Sequence, residues 1–284
     1  MFKIFWMFVV LCGLLSASFA LADEDLEPAQ EKYLQYDDLF SLYQTHADNF
    51  SAYQPIYGLI GTNPEKSSFQ ISFKYRPLNP QGSWVQARPW LQRVFLAYTQ
   101  TTFYDLKEAS TPFEDTSYKP EIFFITENLD SRPQSMQGFF IKTGLQHESN
   151  GRGGDMSRST NFLYVRPMTI FYSEDSGLGL MLAARAWTYV NNSRDHNPDL
   201  HRYRGYFELE TKLGKDDFIV VGAKLRWASQ GASVQVDATY PLHRLVSGNL
   251  DLFFHVQYVN ALAENLLDYQ SRTESLRLGL ALVR

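Results

Sequence analysis

Three polar residues near the middle of the chain have the types and the spacing that nucleophilic catalysis needs. His147 and Ser149 are two positions apart, and Asn161 follows a glycine-rich stretch. An imidazole can take the proton of a serine hydroxyl, which is otherwise a poor nucleophile. The amide of Asn161 can hold that imidazole in the productive tautomer without adding a second buried charge. The pattern predicts an acyl-transfer site, although a lone His-x-Ser also occurs where a strand end is simply polar.

The elements that carry these residues decide whether they can meet. Side chains two apart on a β-strand point to the same face, so His147 and Ser149 share a face with Leu145, and Glu148 points the other way. Asn161 lies near the start of the next predicted strand, which runs antiparallel to the first. There its side chain points to the same face and can reach His147. That face is apolar, and a polar cluster on it costs free energy unless its members satisfy one another. Catalysis would give such a cluster a reason to exist.

Alternation of apolar and polar residues with a period of two runs through the chain from about residue 51. Such alternation predicts β-strands with one apolar face and one polar face. About twelve segments show it: 51–60, 67–77, 91–104, 117–127, 136–148, 159–172, 177–191, 200–211, 217–228, 231–241, 247–259 and 272–283.

Strands of this kind are typical of a transmembrane barrel, in which lipid touches one face and a polar lumen the other. A soluble sandwich or barrel with a buried apolar face gives a related pattern. The apolar faces here are long, however, and aromatic residues such as Trp90 and Tyr172 lie near their ends, which favours the membrane. We predict an all-β fold, a transmembrane antiparallel β-barrel of about 12 strands. Its extracellular loops would include 105–116, 149–158 and 191–199.

Composition excludes several other classes of protein. Hydrophobic residues make up 44% of the chain and charged residues 20%, which excludes a disordered chain. The mean hydropathy of -0.29 excludes a bundle of membrane helices. Lys and Arg number 26 against 31 Asp and Glu, so the chain has no basic field that would hold nucleic acid.

The first residues have the character of an export signal. A lysine, an apolar stretch and small residues ending at Ala22 predict a signal peptide over residues 1–22. The only cysteine, Cys12, would leave with it, so the mature chain has no thiol for a disulfide or a catalytic cysteine. Residues 23–50 form an acidic N-terminal extension, and residues 51–284 are predicted to be the barrel and catalytic domain.

The residues around the candidate triad resemble a family signature. The outer-membrane phospholipase A family carries His-Asp/Glu-Ser-Asn-Gly-Arg with a downstream Ser-Arg-Ser-x-Asn, and the chain reads closely similar from Gln146 to Asn161. The resemblance covers most of the mature chain. Further matches are Tyr98-Thr99-Gln100, Pro112-Phe113, Tyr118-x-Pro120, Asn197-Pro198-Asp199 and Gly205-Tyr206.

This resemblance implies a calcium-dependent phospholipase A of the bacterial outer membrane, active as a homodimer on glycerophospholipids and lysophospholipids, with A1 or A2 specificity. By position, His147 would be the general base, Ser149 the nucleophile and Asn161 the orienting residue. The backbone N–H of Gly151 would donate to the oxyanion. The site would lie at the extracellular-side rim.

The resemblance also implies where calcium and the second subunit bind. The ion would lie at the subunit junction, held by the carbonyl of Arg152, the side chain of Ser157 and Ser110 of the partner subunit. Oxygen ligands suit a hard cation. Gln100 matches a glutamine that bonds across the dimer within the membrane, and on our count it points outward as that role needs.

Two departures from the family pattern are visible. A second calcium site in the family uses aspartates where this chain has Gly154 and His196, although Asp155 and Asp195 are adjacent. The chain also ends in Val283-Arg284 rather than in the terminal aromatic residue typical of outer-membrane barrels.

The alternative function is a non-enzymatic barrel, either a small pore or a structural protein. Twelve strands would enclose little free width, so side chains are expected to plug such a lumen rather than leave a channel. The residues expected to crowd it are Lys74, Arg76, Lys224, Arg226, His255 and Gln257.

Overall fold

The computed structural model describes residues 47–63, 66–108, 113–133, 135–192, 195–246 and 250–284. The predicted signal peptide, residues 1–22, lies outside the described residues, and so does the predicted acidic extension up to residue 46. Among the described residues, no helix is both long enough and apolar enough to cross a membrane.

The described residues form one antiparallel sheet with short helical segments between some strands. The strands are β1 Phe50–Ala52, β2 Ile56–Gly61, β3 Ser67–Tyr75, β4 Val94–Tyr104, β5 Phe113–Ile125, β6 Gly138–Ser149, β7 Ser159–Ser173, β8 Leu178–Tyr189, β9 Phe207–Gly214, β10 Val220–Ala228, β11 Gly231–Pro241, β12 Phe253–Leu262 and β13 Arg272–Val283. The helices are α1 Ser83–Ala87 and α2 Leu200–Arg204, with 3-10 turns at Ala47–Asn49, Pro89–Arg93, Gly154–Met156 and Leu242–Arg244.

The sheet closes on itself into a barrel. β1 and β2 both pair with β3, with Phe50 opposite Tyr75 and Tyr57 opposite Gln70, so they share one strand position. Pro55 lies in the break between them, as expected of a residue that cannot donate to a ladder. β3 also pairs with β4, and β2 pairs with β13, which completes the circle. The prediction of about 12 strands is therefore confirmed.

Alternation along each strand separates an apolar outer wall from a polar lumen. The outer wall carries large hydrophobic side chains that are exposed within the single chain, and a continuous surface of this kind is expected to contact lipid. Its members include Leu96, Ile122, Leu145, Leu163, Leu182, Leu209, Leu225, Leu278 and Leu280.

Charged side chains fill the lumen and pair with one another, as buried charges must if they are to be tolerated. Two cavities of about 200 Å³ and 190 Å³ remain between them. The expected lumen residues Lys224, Arg226, His255 and Gln257 line the first of these cavities. The ion pairs include Lys142–Glu121, Arg166–Glu210, Arg204–Glu148 and Arg226–Glu208.

The chain departs from the predicted strands before β9. Segment 200–211 was expected to be a strand throughout, but β9 begins at Phe207 and residues 200–204 form α2. The reason is tertiary, because Leu200 and Tyr203, nearly one helical turn apart, pack with Leu266 from the turn after β12. We call α2 and residues 263–271 together the outer cap.

Candidate active site

The hairpin of β6 and β7 brings the three predicted catalytic residues to one end of the barrel. His147 lies directly opposite Asn161, and Ser149 lies opposite Ser159. Directly opposed side chains of an antiparallel pair are close enough to interact. One step along the same face, Leu145 is 50% exposed on the outer wall. All three residues therefore lie on the lipid-facing side.

His147 and Asn161 are in hydrogen-bonding contact. The imidazole Nδ1 is 2.9 Å from the amide Oδ1 of Asn161. The amide nitrogen of Asn161 donates to the carbonyl of Asn191 at 3.3 Å, which turns Oδ1 toward the ring. Because that oxygen can only accept, Nδ1 carries the proton and Nε2 is left as the basic nitrogen. The imidazole thus has the tautomer that a general base needs.

Ser149 is placed beside this pair without bonding to it. Its side chain shares the outer face with His147, and its hydroxyl makes no hydrogen bond to any other side chain in the described part of the chain. Catalytic hydrogen bonds are often loose before substrate binds and tighten in the complex. The structure therefore joins two of the three residues directly and sets the third adjacent to them.

Gly151, two residues after Ser149, occupies a position where the backbone conformation and the neighbouring side chain both favour glycine. Its φ of +68° lies in the left-handed region, which other residues adopt at a cost. A Cβ atom at this position would lie 2.8 Å from the ring of Tyr118, the residue that pairs with Ser149 on β5. The backbone N–H of Gly151 is thereby held close to the strand end that carries Ser149.

Asn150 braces the loop that follows. This buried residue accepts the backbone N–H of Arg152 at 3.3 Å and that of Arg158 at 3.0 Å on its Oδ1, and it donates to the carbonyl of Met156 at 2.9 Å. No role for Asn150 was predicted from the sequence. The available signal was its type and place, since an asparagine before glycine at a strand end commonly bonds to nearby backbone.

The braced loop offers oxygen atoms suited to calcium. The carbonyl of Arg152 and the hydroxyl of Ser157 accept or donate no hydrogen bond within the described ranges. Carbonyl and hydroxyl oxygens are ligands that Ca²⁺ takes, usually together with water. No cluster of three His, Cys, Asp or Glu side chains that could hold a metal occurs among the described residues. The expected partner ligand, Ser110, lies outside the described residues.

Gln100 lies on the outer face of β4. Its neighbours Thr99 and Thr101 line the lumen cavities, so Gln100 points the opposite way, as expected. Tyr98 donates from its hydroxyl to Gln100 Oε1 at 2.9 Å, and Gln100 Nε2 donates to Thr102 Oγ1 at 3.2 Å. A polar stripe therefore crosses the apolar wall at this strand.

Residues 22–282 match the family model described as Phospholipase A1. The chain belongs to this family. Among curated relatives, the Phospholipase A1 of Escherichia coli strain K12 is 28% identical over 191 residues, which cover 66% of this chain and 61% of that protein. The Phospholipase A1 of Proteus vulgaris is 26% identical over 256 residues, which cover 87% of this chain and 80% of that protein. The match to the Escherichia coli family member thus spans less than two thirds of its length.

Solved structures of two proteins share the barrel. Outer membrane phospholipase A from Escherichia coli superposes with a TM-score of 0.67 at 22% identity, covering 82% of this chain and 98% of that one. The Salmonella typhi outer membrane phospholipase, solved as a dimer with bound calcium, gives 0.66 at 22% identity and covers 82% and 91%. At these identities the likeness establishes the fold. Family and barrel together support a location in the outer membrane.

Proposed function

We propose that the protein is an outer-membrane phospholipase that hydrolyses acyl ester bonds of glycerophospholipids and lysophospholipids. The observation that carries the proposal is the His147–Asn161 hydrogen bond, with Ser149 beside it on a lipid-facing wall. A base and a hydroxyl that face hydrocarbon can reach an ester whose acyl chains lie against the apolar wall. The family name of the relatives supports this class of reaction.

The reaction follows from the roles of the three residues. Ser149 Oγ attacks the ester carbonyl while His147 Nε2 accepts the hydroxyl proton. When the tetrahedral intermediate collapses, His147 returns that proton to the departing glycerol oxygen, and an acyl-serine remains. Water then attacks the acyl-serine carbonyl while His147 takes its proton. When this second intermediate collapses, the bond between the acyl carbon and Ser149 Oγ breaks, the fatty acid leaves, and His147 returns the proton to Ser149 Oγ. Asn161 keeps the imidazole in place and stabilises its charged form throughout.

The negative charge on the carbonyl oxygen needs donors aimed at it. The backbone N–H of Gly151 would supply one. Calcium, held by the carbonyl of Arg152, the side chain of Ser157 and Ser110 of the partner subunit, would stabilise the same charge through its bound waters. The dimeric, calcium-bound Salmonella typhi protein supports this part of the proposal.

We further propose that the active form is a homodimer in which Gln100 contacts its partner. Two outer walls placed together would create a groove for acyl chains and bring the calcium ligands of both subunits together. The site is proposed to lie at the extracellular-side rim, because outer-membrane barrels have short periplasmic turns and longer outer loops. The 149–158 loop and the outer cap lie at the end of the barrel that carries the triad.

The test uses protein purified in detergent micelles with phosphatidylcholine as the substrate. Fatty acid release is expected in calcium and should stop with EDTA. Ser149→Ala should abolish release and also labelling by a sulfonyl fluoride. Ser159→Ala, which changes the residue directly opposite, is the matched control and should retain both. Conductance across a lipid bilayer without any hydrolysis would instead favour the non-enzymatic barrel.

A further inference from the structure

Glu148 lies between the proposed base and the proposed nucleophile but on the other side of the barrel wall. Its side chain points into the lumen, and the residue is only 2% exposed. The pleat of β6 therefore ties its position to those of His147 and Ser149, because the three share consecutive backbone units. Anything that fixes the carboxylate of Glu148 also fixes the backbone on which both outward side chains are mounted.

Arg204 of the outer cap donates hydrogen bonds to that carboxylate from two guanidinium nitrogens. Its Nη1 donates to Glu148 Oε2 at 2.5 Å, and its Nη2 donates to Oε1 at 3.4 Å. The same Nη2 donates to the carbonyl of Ala263 at 3.1 Å, and Lys119 Nζ lies 4.0 Å from Glu148 Oε1. A guanidinium that bonds a carboxylate through two nitrogens fixes orientation as well as distance. The cap is thus attached to the lumen side of β6 at the catalytic end.

The same stretch of chain also holds β7. Asn197 is fully buried, and it accepts the backbone N–H of Ser159 at 3.3 Å and donates to the Ser159 carbonyl at 3.1 Å. Ser159 is the residue that faces Ser149 across the hairpin. Residues 197–204 therefore contact both strands of the β6–β7 hairpin. The contact on β6 is at Glu148, and the contact on β7 is at Ser159, next to the residue that pairs with Glu148.

We infer that Glu148 and Arg204 are positioning residues for this reaction, holding Ser149 and His147 at the separation that proton transfer requires. The inference rests on the proposed function and adds two residues to its machinery. Glu148 touches no substrate, because its carboxylate is on the lumen side of the wall. Its effect is on geometry, and an error of about 1 Å in such geometry can cost about 100-fold in rate.

A comparable ion pair elsewhere in the lumen provides the matched control. Arg166 on β7 bonds Glu210 on β9, and the side chains of both are nearly as buried as those of Glu148 and Arg204. Neither Arg166 nor Glu210 is adjacent to a proposed catalytic residue in sequence. Loss of the control pair should disturb the lumen to a similar degree without displacing Ser149.

The experiment compares Glu148→Gln, Arg204→Gln, the double variant and Glu210→Gln as full-length proteins in micelles with calcium. Three quantities are measured: the rate of fluorophosphonate labelling of Ser149, kcat and KM on a lysophospholipid, and the thermal unfolding midpoint. We expect labelling and kcat to fall about 100-fold in each single variant at positions 148 and 204, with KM nearly unchanged. The double variant should lose no more than either single variant, because the pair acts as a unit.

Several results would overturn the inference. One is a Glu148→Gln variant that labels Ser149 at the wild-type rate. Another is a Glu210→Gln variant whose labelling rate and kcat fall as far as those of Glu148→Gln, since a general disturbance of the lumen would then explain both losses. If Glu148→Gln does not fold, Glu148→Asp keeps the charge but shortens the side chain, and it should still label more slowly than wild type. If the wild-type protein hydrolyses no lipid, the proposed function itself is wrong. If the wild-type protein is active and Glu148→Gln is equally active, only the inference about Glu148 is wrong.

Discussion

His147 and Asn161 are a directly opposed pair on neighbouring antiparallel strands, and their side chains meet at 2.9 Å between Nδ1 and Oδ1. The register of the sheet therefore sets the length of this bond, rather than the conformation of a loop. A slip of one residue between β6 and β7 would turn one of the two side chains into the lumen. The barrel thus gives the imidazole a fixed orientation before any substrate arrives.

Removing the amide of Asn161 should lower turnover without abolishing it. Asn161→Ala frees the imidazole to rotate, and we expect kcat to fall about 100-fold with a smaller change in KM. Asn161→Asp keeps an acceptor oxygen and should recover part of the lost rate. Steady-state kinetics on a lysophospholipid would measure both effects. Full activity in Asn161→Ala would remove Asn161 from the mechanism.

A methyl group at position 151 should damage the site while the barrel stays folded. Gly151→Ala would force a left-handed backbone on alanine, at a cost of about 1–2 kcal/mol, and would press Cβ against Tyr118. We expect strongly reduced sulfonyl fluoride labelling of Ser149. Gly153→Ala is the control, because Gly153 has φ -107° and open space around its Cβ. Equal labelling of the two variants would contradict the role given to Gly151.

The barrel and the outward face of the candidate triad could be predicted because both depend on local alternation. The period of two in a strand fixes which side each residue faces, so His147, Ser149 and Gln100 could be assigned to the outer wall from spacing alone. The strand count followed from the same signal. With an even number of strand positions, the first and last strands run in opposite directions, so β2 and β13 can pair antiparallel and close the barrel.

The contacts proposed to position the site could not be predicted, because their partners are distant in sequence. Glu148 and Arg204 are 56 residues apart, and nothing in the alternation pairs them. Helix α2 was missed for the same reason, since Leu200 is buried by residues beyond β12. Local pattern shows which way a side chain points, while tertiary packing decides what it meets there.

Changes to the 149–158 loop should alter the calcium requirement more than the fold. Ser157→Ala removes a proposed ligand, and Asn150→Ala removes the bonds that brace the loop, so each should raise the calcium concentration for half-maximal activity by about tenfold. Ser176→Ala, in the β7–β8 turn at the opposite end of the barrel, serves as the control. An unchanged calcium titration in Ser157→Ala would remove that residue from the site.

Loss of the Gln100 side chain should shift the proposed dimer toward monomer. An interhelical hydrogen bond within a membrane is worth about 0.6 kcal/mol, which by analogy is about threefold in the association constant for each bond lost here. Sedimentation in detergent with calcium would measure the change in Gln100→Ala. Gln235→Ala changes a glutamine that lines the lumen and should leave the equilibrium as it is. Identical sedimentation of both variants would show that the assigned contact is wrong.

Acid should weaken the hydrogen bonds that Asp199, the residue before α2, accepts from Tyr269 and Gln270 of the outer cap. The hydroxyl of Tyr269 donates to Asp199 Oδ1 at 2.5 Å and holds the pKa of that carboxyl below its ordinary value. Burial, and then the same bond, raises the pKa of Tyr269 to about 12. Because the folded-state pKa of Asp199 is lowered, its stabilising effect is present above the ordinary aspartate pKa of about 3.9 and is lost as pH falls through the lower folded value.

Tyr269→Phe isolates the contribution of Tyr269 to this effect, since it removes the hydroxyl and keeps the ring that packs on Leu200 and Leu266. We expect the variant to have a lower thermal unfolding midpoint than wild type near neutral pH. The difference should shrink as the pH falls below about 3.9 and through the lower folded pKa of Asp199, because the protonated carboxyl accepts a weaker, uncharged hydrogen bond. A difference that stays constant over this range would show that the tyrosine acts through packing and not through the charge on Asp199.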